Sequence, residues 1–178
     1  KIIVCTSTHR DDSELCSLLK KYKIMYYRGD ELDVLSRFIS VANNLNAKTI
    51  VRVTADNPLT DPEVMDEMIE NHLDLKSEYT FAEKIPDGAE SEIIQTSLLQ
   101  KCHDLIQDKD ATEYMSWFLN RPDYFNVNNH KIFNKALRRK DVTITVDTLK
   151  DFNLIEKIFK NFNGNPRKLE QIIKFYDD

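Results

Sequence analysis

The chain has 178 residues, the length of about one domain, and its 41% hydrophobic and 31% charged residues suit a globular protein with one buried core. Lys and Arg number 25 against 30 Asp and Glu, a net charge of -5, which leaves no basic surplus for gripping nucleic acid or an anionic membrane surface. No apolar run approaches the roughly 20 residues that cross a bilayer, and the three glycines, Gly29, Gly88 and Gly164, cannot spell a Walker loop or a GxGxxG turn.

Residues 2–6 form a continuous apolar run of the kind found in buried parallel strands. Asp11, Asp12 and Ser13 offer caps and dipole-favoured acids for a helix carrying Leu15, Leu18 and Leu19 on one face. A short strand over 24–27 ends at the turn Arg28-Gly29-Asp30, and Asp33 opens a helix with Val34, Leu35, Phe38, Ile39, Ala42 and Leu45 at helical spacing. Residues 49–54, TIVRVT, are a third strand rich in β-branched side chains. The polar turn Ala55-Asp56-Asn57-Pro58 follows, then Asp61 as N-cap with Pro62 in the first helical turn.

Strand and helix alternate to this point, which predicts an α/β architecture with a mostly parallel sheet. From Glu78 the rhythm changes. Strands are expected over 79–82 and 91–94, separated by the turn Pro86-Asp87-Gly88, then helices over 96–106 and 111–119 and strands over 124–127 and 142–146. Thr148 and Asp151 have capping-box spacing for a helix through Phe159. Asn163-Gly164-Asn165-Pro166 breaks the chain before a last helix to about Tyr176. With no repeat or linker, residues 1–178 read as a single domain with an insertion at about 78–140.

Cys5, Cys16 and Cys102 are odd in number and far apart, against a disulfide framework or a thiolate zinc site. A reducing, cytoplasmic setting follows. His9, His72, His103 and His130 lack ligand spacing and read as surface or structural histidines. The chain opens directly on a strand, without Met or a leader, which suggests a cut through a longer protein.

In open α/β sheets, ligands collect beyond the carboxyl ends of strands. Asp56 and Asp147 both fall at such ends. Two carboxylates from separate strands suit a hard divalent ion such as Mg²⁺, which also keeps waters and phosphate oxygens; equally, Asp56 suits a turn and Asp147 a helix cap. Arg52, alternating with Val51 and Val53, needs an acid partner or a substrate anion. Asp87, Gly88, Glu90 and Glu92 read either as a solvated hairpin or as acceptors for sugar hydroxyls, with Glu90 and Glu92 on one side of an extended strand.

Taken in order, Thr6-Ser7, Arg28-Gly29, Asp33-Val34-Leu35 with Arg37, the segment RVTADNPL at 52–59 with Asp61-Pro62, Pro86-Asp87-Gly88 with Glu90 and Glu92, and TVDT at 145–148 with Asp151-Phe152 carry a resemblance. The chain resembles the cytidylyltransferases of the spore-coat polysaccharide group, relatives of the CMP-Kdo and CMP-sialate synthetases. The resemblance runs from Ile2 to about Phe159, and TADNP and TVDT are its specific segments. It implies a nucleotide-diphospho-sugar transferase-like, Rossmann-like fold with helices flanking the sheet. It also implies transfer of CMP from CTP to an acidic or modified sugar, with release of pyrophosphate. By similarity, Asp56 and Asp147 would hold Mg²⁺, Arg52 would position substrate, Thr6 and Ser7 would lie near the nucleotide, and Asp87, Gly88, Glu90 and Glu92 would line the sugar side. A non-catalytic nucleotide-sugar binding module and a related glycosyltransferase are the alternatives.

Departures from the family pattern are local. Glu90 stands where the aspartate after the family's turn is usual, and Thr112-Glu113-Tyr114 replaces the usual Arg-Glu-His. The family's first strand and its Gly-, Arg- and Lys-rich triphosphate loop would precede Lys1, so the chain is expected to be truncated at its N-terminus and to need that upstream segment for stability. Family relatives are often dimers, and Tyr114, Met115, Trp117 and Phe118 form an aromatic helix face that fits either a homodimer contact or the chain's own core.

Overall fold

The structure is a computed structural model that describes every residue except 110, 111, 113, 165, 167 and 178. The chain divides into two compact units, the first built from Lys1–Ile50 and Gln95–Phe125, the second from Val51–Ile94 and Asn126–Asp178. Residues 78–140 are therefore shared between the two units.

In the first unit, strand β1 (Ile3–Ser7) pairs in parallel with β2 (Met25–Gly29), with Ile3 opposite Met25 and Ser7 opposite Gly29. Parallel neighbours need a crossover, here helix α1 (Ser13–Lys21), and helix α2 (Val34–Asn44) follows β2. Asp33 caps α2 by accepting from the Ser36 amide at 3.0 Å. The apolar spacing of α2 buries Leu35, Ile39 and Ala42, and the contacting helix α4 (Thr96–Leu105) buries Leu98, Leu99 and Cys102. Helix α5 (Ser116–Leu119) adds the buried Leu119, beside the buried Met115. Tyr114 and Trp117 stack with ring centroids 4.8 Å apart and stay more than half exposed.

Two expectations for this unit change. Ile3, Val4 and Cys5 are half-buried rather than fully buried, because β1 has a single strand neighbour among the described residues. Asp12 does not cap α1 with its side chain; Arg10–Asp12 form a 3-10 turn, and the Asp12 carboxylate reaches back to β1. The expected helix start at Ala111, and Glu113 of the departing triplet, lie outside the described residues.

The second unit carries the four-stranded sheet in the order β3-β5-β4-β6, comprising β3 (Thr49–Arg52), β4 (Tyr79–Ala82), β5 (Glu92–Gln95) and β6 (Val127–His130). The chain enters the unit within β3 and leaves it at the end of β5. β4 runs parallel to β6, with Tyr79 opposite Val127 and Ala82 opposite His130, and antiparallel to β5, with Tyr79 opposite Ile94. Helices α3 (Pro62–Asp74), α6 (Leu149–Asn161) and α7 (Leu169–Asp177) contribute to one apolar core. Met68 of α3, Ile93 of β5, Ile158 of α6, Leu169 of α7 and Ile144 are completely buried there. Each such side chain is worth about 1.5–3 kcal/mol on burial.

The caps anticipated from the sequence are present. The Thr148 hydroxyl accepts from the Asp151 amide at 3.3 Å while Asp151 accepts from the Thr148 amide at 2.8 Å, closing a capping box. Asp61 accepts from Glu63 N at 2.7 Å and, through its other oxygen, from Leu169 N at 2.8 Å. One buried carboxylate thus satisfies orphan amides at the start of both α3 and α7.

β6 begins three residues later than expected, because the Tyr124 and Phe125 amides turn back onto the Arg121 carbonyl. Residues 142–146 form no regular strand. Only Thr143 makes a ladder bridge, to Asp87, and the segment is held by bonds to two separate loops. Asn165 of the expected break is outside the described residues. Among the described residues no helix is long and apolar enough to cross a membrane.

Candidate active site

β3 ends at Arg52, and the Asn57 amide donates to the Thr54 carbonyl at 3.1 Å, curling 54–57 into the turn that presents Asp56. The Asp56 carbonyl accepts from the Val146 amide at 2.9 Å and from the Thr145 hydroxyl at 3.4 Å. Val146 is therefore fastened to Asp56, and Asp147 is the next residue. Both aspartates are exposed. The backbone beside Asp147 is thus tied to Asp56, 91 residues earlier in the sequence.

A third loop joins them. Ile144 N donates to the Asp87 carbonyl at 2.7 Å, and Asp87 N donates to the Val142 carbonyl at 3.0 Å. Gly88 follows with φ +93°, and a Cβ placed there would lie 2.3 Å from Thr145 N and 2.5 Å from the Ile144 carbonyl carbon. Only glycine permits both that conformation and that approach. The extended segment 142–147 is thus clamped by the Asp87-Gly88 turn at one end and by Asp56 at the other.

Glu90 turns its carboxylate back onto the same turn, accepting from Gly88 N at 2.7 Å. Its burial, with a further push from the negative charge of Asp87, raises its pKa, and backbone amides of Glu90, Gly88 and Ala89 oppose the rise. Glu92 points elsewhere. It forms an ion pair with Arg52 and accepts from the Tyr79 hydroxyl; the Arg52 and Glu92 side chains are only 18% and 12% exposed. Burial, then the Glu92 charge, pushes the Tyr79 phenol far above its ordinary range. Arg52 therefore has the acid partner that its place in the strand demanded, and Glu90 and Glu92 do not share a hydrogen-bonding surface.

Thr6 and Ser7 lie in the first unit, buried at the carboxyl end of β1. Both hydroxyls donate to Asp12 Oδ2, at 2.5 and 2.7 Å, and Ser7 N donates to the same oxygen at 2.8 Å. Those bonds hold the Asp12 carboxyl down at about 2, the Thr6 hydroxyl contributing most. Arg28 braces the neighbouring loop, donating to the Ser7 and His9 carbonyls at 2.8 and 2.7 Å.

Two polar networks have no counterpart in the sequence reading. Asp33 accepts from His103 Nε2 at 2.7 Å, and the Thr112 hydroxyl accepts from Leu35 N at 3.2 Å, joining the start of α2 to α4 and to the loop that follows it. In the second unit His72 Nδ1 lies 2.9 Å from the Thr80 hydroxyl, while Asn71 Oδ1 accepts from Asn128 at 2.6 Å and faces His130 Nδ1 at 3.2 Å. Burial lowers the pKa of both His72 and His130. Apart from His72 and Thr80, these partners are more than 50 residues apart in sequence, so tertiary pairing rather than local spacing brings them together.

Among the described residues no group of three or more His, Cys, Asp or Glu side chains could hold a metal. Asp56 and Asp87 are each joined by backbone bonds to the 142–146 segment that Asp147 follows. A mixed, parallel-rich α/β fold with exposed acids after strand-like segments belongs to the class in which ligands collect beyond the carboxyl ends of strands.

Comparison with known proteins narrows that class. The cytidylyltransferase family model matches residues 1–177, and the chain belongs to the cytidylyltransferase family, a nucleotidyltransferase group. It is 32% identical over 180 residues to the uncharacterized protein MJ1063 of Methanocaldococcus jannaschii, covering 99% of this chain and 72% of that protein. Identity is 28% over 167 residues with the spore coat polysaccharide biosynthesis protein SpsF of Bacillus subtilis, covering 93% of this chain and 69% of SpsF. A cytidylyltransferase structure from Leptospira borgpetersenii superposes with a TM-score of 0.88 at 20% identity, over 98% of this chain and 75% of that one. Molybdopterin-guanine dinucleotide biosynthesis protein A of Archaeoglobus fulgidus gives 0.61 at 14% identity, over 89% and 78%. At those identities the two structures share the fold, which is Rossmann-like.

Proposed function

We propose that this protein transfers CMP from CTP to an acidic or modified sugar, releasing pyrophosphate, as a Mg²⁺-dependent cytoplasmic enzyme of surface polysaccharide biosynthesis. Family membership supports nucleotidyl transfer, and the SpsF relationship supports the polysaccharide setting. The single observation that supports the site is the bond from Val146 N to the Asp56 carbonyl, which ties the backbone beside Asp147 to Asp56.

The donor set fits the ion. Asp56 and Asp147 are exposed oxygen donors on short loops, and Mg²⁺ takes one or two carboxylates while keeping waters and phosphate oxygens. When bound, the ion would neutralise charge on the α-phosphate as a sugar oxygen attacks in line with the departing pyrophosphate. The residues themselves orient. Asp56 and Asp147 hold the metal side, and Asp87 accepts hydrogen bonds from sugar hydroxyls. Gly88 lets the turn approach the 142–147 segment closely, and Arg52, fixed by Glu92, stiffens the strand from which Asp56 departs. In the first unit Thr6 and Ser7, locked onto Asp12, make a rigid strand end that would contact the nucleotide.

Pyrophosphate release from CTP, measured with and without Mg²⁺ and a panel of sugar acceptors, tests this reading. Asp56→Asn and Asp147→Asn should each lower turnover at least 100-fold with unchanged thermal melts. Full turnover in either variant removes the proposed site, and CMP-sugar binding without any turnover would instead make the protein a binding module.

A further inference from the structure

Parallel strands β4 and β6 end side by side at Ala82 and His130. Just beyond them lies a cleft of about 210 Å³ whose lining includes Glu83, Lys84, His130, Lys131 and Arg138. Lys84, Lys131 and Arg138 line it with one acid, Glu83, in a chain whose net charge is -5, and the Lys131 ammonium lies 5.8 Å over the Phe133 ring. Among the described residues none of the three cations has an ion-pair partner. Like charges gathered around a small concavity focus a positive potential into it, which favours an anion there.

The walls are shaped for such a guest. Arg138 Nε donates to the Ile132 carbonyl at 2.7 Å, which fixes the guanidinium plane and leaves its terminal nitrogens for a ligand. Lys84 sits at φ +70°, a left-handed conformation that costs energy for a lysine and sets where its side chain departs. His130, 6% exposed, forms a buried wall. Asn71 Oδ1 already accepts from Asn128, so His130 Nδ1 is the donor to it, and the other ring nitrogen, Nε2, has no partner among the described residues.

The cleft is also near the acids. Lys84 precedes Asp87 by three residues, a span of at most about 10 Å, and Arg138 precedes Val142 by four. Asp87 and Val142 are themselves hydrogen-bonded at 3.0 Å. A monosaccharide lying across the Asp87 turn can therefore place a substituent in the cleft.

We infer that this cleft is an anion subsite that holds the carboxylate or phosphate substituent of the acceptor, a reading that rests on the proposed transfer to a sugar. The test is calorimetric binding to the full chain, without CTP or metal, using glucuronate, glucose 6-phosphate and glucose as probes, alongside NMR of the His130 ring. At least one anionic probe should bind about tenfold or more tightly than glucose and shift the His130 signals. Preference for glucuronate identifies a carboxylate guest, and preference for glucose 6-phosphate a phosphate. Lys84→Met and Lys131→Met, both at exposed positions, should each weaken that binding about tenfold, the loss of one charge-assisted contact. Glucose binding as tightly as both anions, or unchanged binding in both variants, overturns the subsite. Loss of probe binding with pyrophosphate release intact rejects the subsite and spares the transfer reading; probe binding by a protein that releases no pyrophosphate does the reverse.

Discussion

Replacing Gly88 by alanine should damage this protein far more than the same change at Gly164, although both glycines have positive φ. At Gly164, φ is +78° and nothing lies within 4 Å of a new Cβ, so the cost is conformational, about 1 kcal/mol. At Gly88 the conformational cost is similar or larger, about 1–3 kcal/mol, and the new Cβ would sit 2.3 Å from Thr145 N and 2.8 Å from Thr145 Cα. Backbone cannot rotate out of the way. The 142–147 segment must shift, adding about 1–3 kcal/mol of overpacking strain and weakening the Asp87 bonds to Val142 and Ile144. The total is about 2–6 kcal/mol, centred near 4. With a urea slope of about 2 kcal/mol/M, Gly88→Ala should lower the denaturation midpoint by about 2 M and Gly164→Ala by about 0.5 M. Far-UV circular dichroism is the right probe, since Trp117 reports on the other unit. Equal shifts for the two variants would refute the claim that close backbone approach, rather than φ alone, reserves position 88 for glycine.

Asp61→Ala removes acceptors from amides of two helices and should cost about 2–4 kcal/mol by chemical denaturation, more than an ordinary cap; a loss under 1 kcal/mol would mean that the α7 contact contributes nothing. Arg52→Met strands the buried Glu92 carboxylate and should cost about 3 kcal/mol, whereas adding Glu92→Gln should recover much of it. No recovery in the double variant would show that Arg52 contributes through packing. Asp12 has a folded pKa of about 2 against an ordinary 3.8, so its stabilising bonds are fully present above about pH 4 and are lost as pH falls through 2. Stability should therefore fall less between pH 4 and pH 2 in Asp12→Asn than in the parent chain, and equal losses in paired urea titrations would contradict the Thr6-Ser7-Asp12 assignment.

Local signals carried much of this architecture. The caps at Asp33, Asp61 and Thr148 were visible because capping residues precede apolar periodicity at fixed offsets, and the early strands because β-branched runs end in turn residues. Asp56 and Asp147 were legible as residues following β-branched runs, although 142–146 is a clamped extended segment rather than a regular strand. What was hidden depends on distant partners. Asp12 looked like a helix cap and instead binds Thr6 and Ser7, a choice made by the tertiary proximity of β1. Glu92 looked like a neighbour of Glu90 on one surface, yet Arg52 on one side of β5 and Tyr79 on the other claim its carboxylate. The cationic cleft is split between Lys84 and residues some 50 positions later, so the short basic run Arg138-Arg139-Lys140 read only as an exposed turn.

The polypeptide passes between its two units three times, within β3, within β5 and after Phe125. During synthesis at about 5–20 residues per second, the first 50 residues wait roughly 4–15 s before Gln95–Phe125 has been made to complete their unit. Strand β4, likewise, has no β6 beside it until some 50 more residues have emerged. Cutting the gene at any one point cannot yield two independently folding halves. A nascent chain of this kind presents unfinished sheet edges to the cell for seconds, which makes it a natural client of ribosome-associated chaperones.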